Sequence, residues 1–513
     1  MKNYRVQNTT NNKKPKIRIN AAVLVASGCA AILLIVLLSM HMFTGQAPPA
    51  QQTVLSEAAN GLDNISISAV FTPDRKTLEA TQTMRLQNRS GQALDDVVIR
   101  TYANAFLSEE YSPAAIEDIY DLCYPNGFSP GAITMEQVLV DGQQASYAYD
   151  DTTKTIQRIA LSQAWQPNDW IDVLLEYEIM IPDCNYRFGY ASDIYTLGNT
   201  LPVLSVWENG AWRTEEYFPL GDPFYSNCAN YNVMVTVPKG FQCAGSAYGQ
   251  RTEKDGQWIY SFNASAVRDF ALSISDKFVI AQETVDNVLI TSYGLSSSDA
   301  KKALKYSRQA LTCFNEQYGA YPYNHLAVSV VDFPFGGMEY PGLILLQKSL
   351  YKQEEEKNLE IVAVHEVAHQ WWYAVVGSDQ YHQPWQDEAL AEYSLLDYTE
   401  HYYGQEARES MAFSRFETAM RVTVPRGVTP GSPIDYFSTM SEYSLVVYRR
   451  GAALLVALDT ALGDKLDDFL RTYYQRHAFQ LASRDEFEQT LKDVTGQDWS
   501  ALIVDYLDTY IAN

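Results

Sequence analysis

From about residue 64 to residue 283, apolar and polar positions alternate in short runs broken by turn residues. Runs at 65–71, 170–177 and 231–237 place every second side chain on one face, which predicts strands with one buried side. A β-rich domain over residues 61–285 is therefore expected. After residue 295 the period lengthens. Ser296-Ser297-Ser298-Asp299 reads as a helix start, and Ala303, Leu304, Ala310, Leu311 and Phe314 give helical spacing as far as Tyr318. A strand is expected at 326–331, then a glycine-rich element at 335–340. From Asn358 the pattern is nearly continuous helix, with loops near 376–386 and 422–440 and two helices in the last stretch. The expected class is α+β and multidomain, with residues 286–513 mainly helical.

One apolar run is different in kind. Residues 21–43 carry no charge and are long enough to cross a hydrocarbon layer, which takes about 20 helical residues. Residues 1–20, which precede the run, hold Lys2, Arg5, Lys13, Lys14, Lys16 and Arg18 and no acid. A retained transmembrane anchor with a cytoplasmic N-terminus is predicted, with cleavage or lipidation at Cys29 as the alternatives, followed by a Pro/Gln-rich stalk at 44–60 and an extracytoplasmic body. The formal net charge of the whole chain is -24; beyond residue 20 it is near -30, with 32 basic against 62 acidic residues, which argues against a nucleic-acid partner. Hydrophobic residues at 47% and charged residues at 19% fit folded domains. Beyond the anchor, Cys123, Cys184, Cys228, Cys243 and Cys313 show no paired metal spacing. They allow at most two disulfides, and buried thiols are an equally open reading.

The candidate chemistry centres on His365-Glu366-Val367-Ala368-His369. Residues four apart share a helix face, so both imidazoles reach one ion. Zinc suits two neutral histidines plus one further ligand, with a fourth position left for water. Glu366, beside the first histidine, is placed to take a proton from that water and pass it to a departing amine. The third ligand is expected in Trp385-Gln386-Asp387-Glu388-Ala389-Leu390-Ala391-Glu392, where Asp387, Glu388 and Glu392 compete on chemistry alone.

This spacing, with eighteen residues between His369 and Glu388, resembles the zinc signature of the aminopeptidase N family, which includes leukotriene hydrolase. Residues 385–391 are similar to that family's Trp-Leu-Asn-Glu-Gly-Phe-Ala stretch. The resemblance implies Glu388 as third ligand, one zinc ion per chain, and a β-rich saddle- or sandwich-like domain before a thermolysin-like catalytic domain. Gly336-Gly337-Met338-Glu339-Tyr340 is similar to the family's Gly-Ala-Met-Glu-Asn element. That similarity implies that Gly336, Gly337 and Met338 line the cleft and that Glu339 binds the substrate's free amino group. Tyr448-Arg449-Arg450-Gly451-Ala452 resembles Tyr-Glu-Lys-Gly-Ala, implying that Tyr448 donates to the developing oxyanion. Tyr443 matches a second cleft tyrosine.

Departures from the family pattern, among them Tyr340 for Asn and Asp387 for Asn, leave the ligands intact and alter the first pocket, to which Met338 and Tyr340 are expected to contribute. The other histidines fit no ligand spacing, though His382 lies close to the second motif. The chain ends soon after the catalytic half, which implies a more open cleft. An aminopeptidase acting on peptides with a free N-terminus is thus expected. An open-cleft metallo-endopeptidase and a non-enzymatic peptide-binding domain with a structural zinc are the alternatives.

Overall fold

In a computed structural model, residues 49–112, 119–424 and 427–510 are described. The basic segment, the apolar anchor at 21–43 and the start of the stalk lie outside the described residues. No helix among the described residues is long and apolar enough to cross a membrane. The remainder of the predicted stalk is a helix, α1 (Pro49–Ala59), packed on the strand Gln257–Val267. Its proline stands at the first helical position, where the missing N–H costs nothing.

The alternating runs form an eight-stranded sheet. Its order is Gln250–Lys254, Gln257–Val267, Ala229–Pro238, Asn64–Thr72, Thr77–Gln87, Trp170–Met180, Ala132–Val140, Gln143–Gln144. Neighbours are antiparallel except Asn64–Thr72 with Ala229–Pro238, which run parallel with Ile67 opposite Val233. Ile65, Ile67, Ala69 and Phe71 are buried, and the residues between them are not. Two four-stranded sheets complete this half around its own apolar core.

The second half opens on a five-stranded mixed sheet, not on helix. Its order is Val279–Val285, Val288–Gly294, His325–Val331, Leu343–Gln347, Gly337–Met338. The hairpin formed by its first two strands straddles the boundary expected at residue 285. A run of period two reads the same whichever sheet accepts it, so the alternation alone does not assign these strands. Three long helices pack in this half. These are α2 (Ser297–Gln317), α3 (Glu356–Ala368) and α4 (Trp385–Tyr403). The predicted cap of α2 is present, with the Ser296 hydroxyl accepting from the Asp299 N–H.

Buried polar ties fix α4 against α2 and the turn after α3. Trp372 Nε1 donates to Ser394 Oγ at 3.0 Å, and Tyr318 Oη donates to Asp397 Oδ2 at 2.6 Å. The five cysteines beyond the anchor are buried free thiols.

Pro48–Asn513 is one compact unit although it contains two cores. Arg268, from the β-rich half, is buried among backbone carbonyls of the other. Its Nε donates to Tyr373 O at 2.7 Å, and its Nη2 to Gln480 O at 2.6 Å and Val375 O at 3.1 Å. Gly377 permits this approach, because a Cβ there would meet the guanidinium. Replacing Arg268 by Met strands these carbonyls without a donor and is expected to cost about 3 kcal/mol. Urea unfolding checks it, and an unmoved midpoint would contradict the bracing role.

Candidate metal centre

The histidine motif lies at the end of α3, with His365 in its last turn and His369 at its C-cap. The neighbours Val364, Val367 and Ala368 are fully buried, which anchors the helix in the core. Both imidazoles turn their Nε2 atoms inward, 3.0 Å apart. Glu388, in the first turn of α4, brings Oε2 to 3.3 Å from His365 Nε2 and 3.4 Å from His369 Nε2. A tetrahedral ion with bonds of about 2.0–2.1 Å holds its ligand atoms about 3.3 Å apart, so this triangle has the size zinc requires. Glu388 Oε2 is also buried without a hydrogen-bond partner. A second triad, Glu339, Glu366 and His369, has ligand atoms within 4.8 Å of one another. With two carboxylates and one imidazole, it is the poorer zinc set.

Of the three acids that compete on chemistry, each has a separate place. Asp387 accepts a hydrogen bond from His369 Nδ1 and another from Gln380 Nε2. This fixes the imidazole tautomer that leaves Nε2 with its lone pair inward. Glu392, one turn beyond Glu388, accepts from Arg415 Nε and Nη2 at 2.6 Å each and lies 3.6 Å from His365 Nδ1. His382 is not part of the centre; it sits against Asp379 at 3.0 Å and Arg213 at 2.7 Å.

A cavity of about 570 Å³ opens over the centre. His365, Glu366, His369, Glu388, Tyr448 and residues 336–339 all line it. Residues 337–338 form an edge strand on Leu343–Gln347, and Gln370 secures residues 339–342 beyond it. The Gln370 amide donates to Glu339 O at 3.3 Å and Tyr340 O at 3.2 Å, while its Oε1 accepts from Gly342 N at 2.8 Å. The residue after the second histidine therefore locks the Glu339 segment to the histidine helix. Gly337 is required sterically, because a Cβ there would collide with the Glu366 carboxylate.

Glu366 is buried, and burial pushes its carboxyl up to about 7 against the pull of both imidazoles. Glu339, 4% exposed, is likewise raised, by burial and then by Asp222, and its Oε1 has no partner. Tyr448 stacks on His365 with ring centroids 5.7 Å apart, and its Oη donates to Glu388 Oε1 at 2.5 Å.

Two expectations are corrected. Tyr443 does not line the cavity; it is buried behind Tyr448 in edge contact with that ring and with Phe437. Tyr340 is fully buried and donates to Asn199 Oδ1 at 2.9 Å, so of the proposed pocket pair only Met338 faces the cavity. The hydrogen bond of Tyr340 and the ring contacts of Tyr443 make both tyrosines packing elements. The pattern also gave no warning that the β-rich half contributes to the site. Arg187 and Asp222 line the cavity as a buried ion pair at 2.5 Å. Glu392 stood among the three acids competing for the third ligand position, whereas Asp222, in a Gly-Asp-Pro loop, carried no signal.

The profile of the Peptidase family M1 domain matches residues 302–507. An "Aminopeptidase N" of Lactobacillus delbrueckii subsp. lactis is 25% identical over 408 residues, covering 73% of this chain and 46% of that protein. "Leucine aminopeptidase 2" of Candida glabrata is 27% identical over 422 residues, covering 76% of this chain and 62% of that protein. The chain thus spans less than two thirds of the length of these relatives. A crystal structure of an M1 zinc metallopeptidase from Deinococcus radiodurans superposes with a TM-score of 0.63 at 17% identity. It covers 88% of this chain and 94% of that one, and it shares the fold.

The hydrogen bond from His369 to Asp387 gives a prediction for the metal. Asp387→Ala is expected to weaken zinc binding by about tenfold or more, measured by competition with a chelator. Unchanged affinity would remove Asp387 from the centre.

Proposed function

We propose, from the premise that this chain carries a peptidase family M1 domain of the aminopeptidase N type, that it is a zinc-dependent aminopeptidase. The observation that carries the reading is Glu339. Its carboxylate is buried in the cavity wall, one oxygen is unpartnered, and it lies within 4.8 Å of Glu366 and His369 ligand atoms. A peptide's terminal ammonium is a partner suited to it, and binding there sets the first peptide bond over the centre.

His365, His369 and Glu388 hold the zinc, which when bound supplies a Lewis acid and lowers the pKa of water. Glu366 takes the proton released as water attacks the carbonyl carbon and delivers it to the departing nitrogen. Its burial keeps that carboxylate free of competing solvent. Tyr448 holds a phenolic proton at the cavity wall; released from Glu388 Oε1, it donates to the negative oxygen that develops. Met338 and the Arg187–Asp222 pair bound the space around the first residue. Residues 286–513 take the thermolysin-like role in this reading.

The body acts on extracytoplasmic peptides. The support is the uncharged run at 21–43 behind a basic segment, with the acidic remainder beyond it.

Glu366→Gln is expected to lower peptide hydrolysis by about 10³-fold or more while zinc stays near one per chain. Retained activity, or loss of the metal, would contradict the role. Acetylating the amino terminus of a good peptide substrate is expected to reduce kcat/KM by at least about 100-fold, and Glu339→Gln to act mainly through KM. Equal cleavage of free and acetylated peptides would favour an endopeptidase.

A further inference from the structure

A second cavity, of about 580 Å³, adjoins the first, and Ile361, Arg415 and Arg449 line both. Its charge is opposite to that of the metal cavity. Lys357, Arg415 and Arg449 face a single carboxylate, Glu360, which already accepts hydrogen bonds from Tyr398 and Tyr403 at 2.6 Å each. In a chain of net charge -24, a cavity with three cations and one acid is an exception. Arg415 is committed to Glu392. The exposed side chains of Arg449 and Lys357 form no hydrogen bond or ion pair among the described residues, so two cations border this space without a protein partner.

The backbone sets the arginines apart as well. Arg415 lies on the π-helical turn Ala412–Glu417 and Arg449 on the π-helical turn Ser444–Arg450. Such turns displace the backbone from ordinary helix and are frequent at functional positions. Between the charges, Val364 and Leu395 give the cavity an apolar lining.

We propose that this second cavity is a carboxylate subsite, holding the C-terminal end of a short peptide whose amino end lies against Glu339. The inference rests on the aminopeptidase reading and names its substrate class: short peptides with both termini free. An acidic cavity adjoining a basic one matches the two end charges of such a peptide. A C-terminal amide, or a long chain whose carboxylate lies elsewhere, forgoes the second attraction.

The test separates binding from turnover. Trileucine, tetraleucine and pentaleucine, each as free acid and as C-terminal amide, are titrated calorimetrically into the zinc-loaded Glu366→Gln chain. The free acid is expected to bind about tenfold more tightly than its amide at one or more of these lengths. The advantage is expected to vanish in the same chain carrying R449Q and K357Q. Equal affinities of acid and amide at every length, or an advantage that survives both substitutions, would overturn the proposal. Failure of the aminopeptidase reading shows separately, as an unsubstituted chain that leaves every one of these peptides intact.

Discussion

Three buried carboxylates converge on one cavity with no permanent cation of their own. Arg187 serves Asp222 and Arg415 serves Glu392, which leaves Glu339, Glu366 and Glu388 without an arginine or lysine partner among the described residues. Burying such a set is costly unless charge is supplied. In the proposed reading, the two partners that satisfy it are a divalent ion between His365, His369 and Glu388, and a substrate ammonium at Glu339. Glu366 then stands between two cations, which favour the ionised form able to accept a proton. The centre is built to be completed by the ion and the molecule it acts on.

The rest of the fold serves that convergence. A helix end carries the histidines, a helix start carries Glu388, and the segment just past an edge strand carries Glu339. Each is tied to its neighbours by buried hydrogen bonds, through Trp372 and Ser394 in one direction and Gln370 in the other. Glycine at 337 lets strand and helix approach until the Glu366 carboxylate touches the backbone. The β-rich half closes the arrangement with Arg187 and Asp222 and is itself held by Arg268.

Local pattern made part of this legible. Period-two alternation marked the strands, the Ser296 cap marked the start of α2, and a four-residue histidine spacing marked the ligand helix. All three are properties of neighbouring residues. The choice of Glu388 over Asp387 and Glu392 was different, because all three acids lie in one turn and a half of helix. It came from resemblance, and the structure then gave each acid its own partner. What the pattern did not yield is tertiary: the hairpin that belongs to the second sheet, the inward packing of Tyr340 and Tyr443, and Asp222 arriving from a distant turn. A tyrosine in a motif looks alike from either side of a wall. Only packing decides which face it shows.

The proposed reading depends on a single ion held by two imidazoles and one carboxylate. Zinc-edge X-ray absorption on the purified chain tests this directly. The predicted result is about one zinc per chain with nitrogen and oxygen neighbours at about 2.0–2.1 Å. A well-folded chain that takes up no zinc, or a shell containing sulfur or lacking imidazole nitrogen, would contradict it.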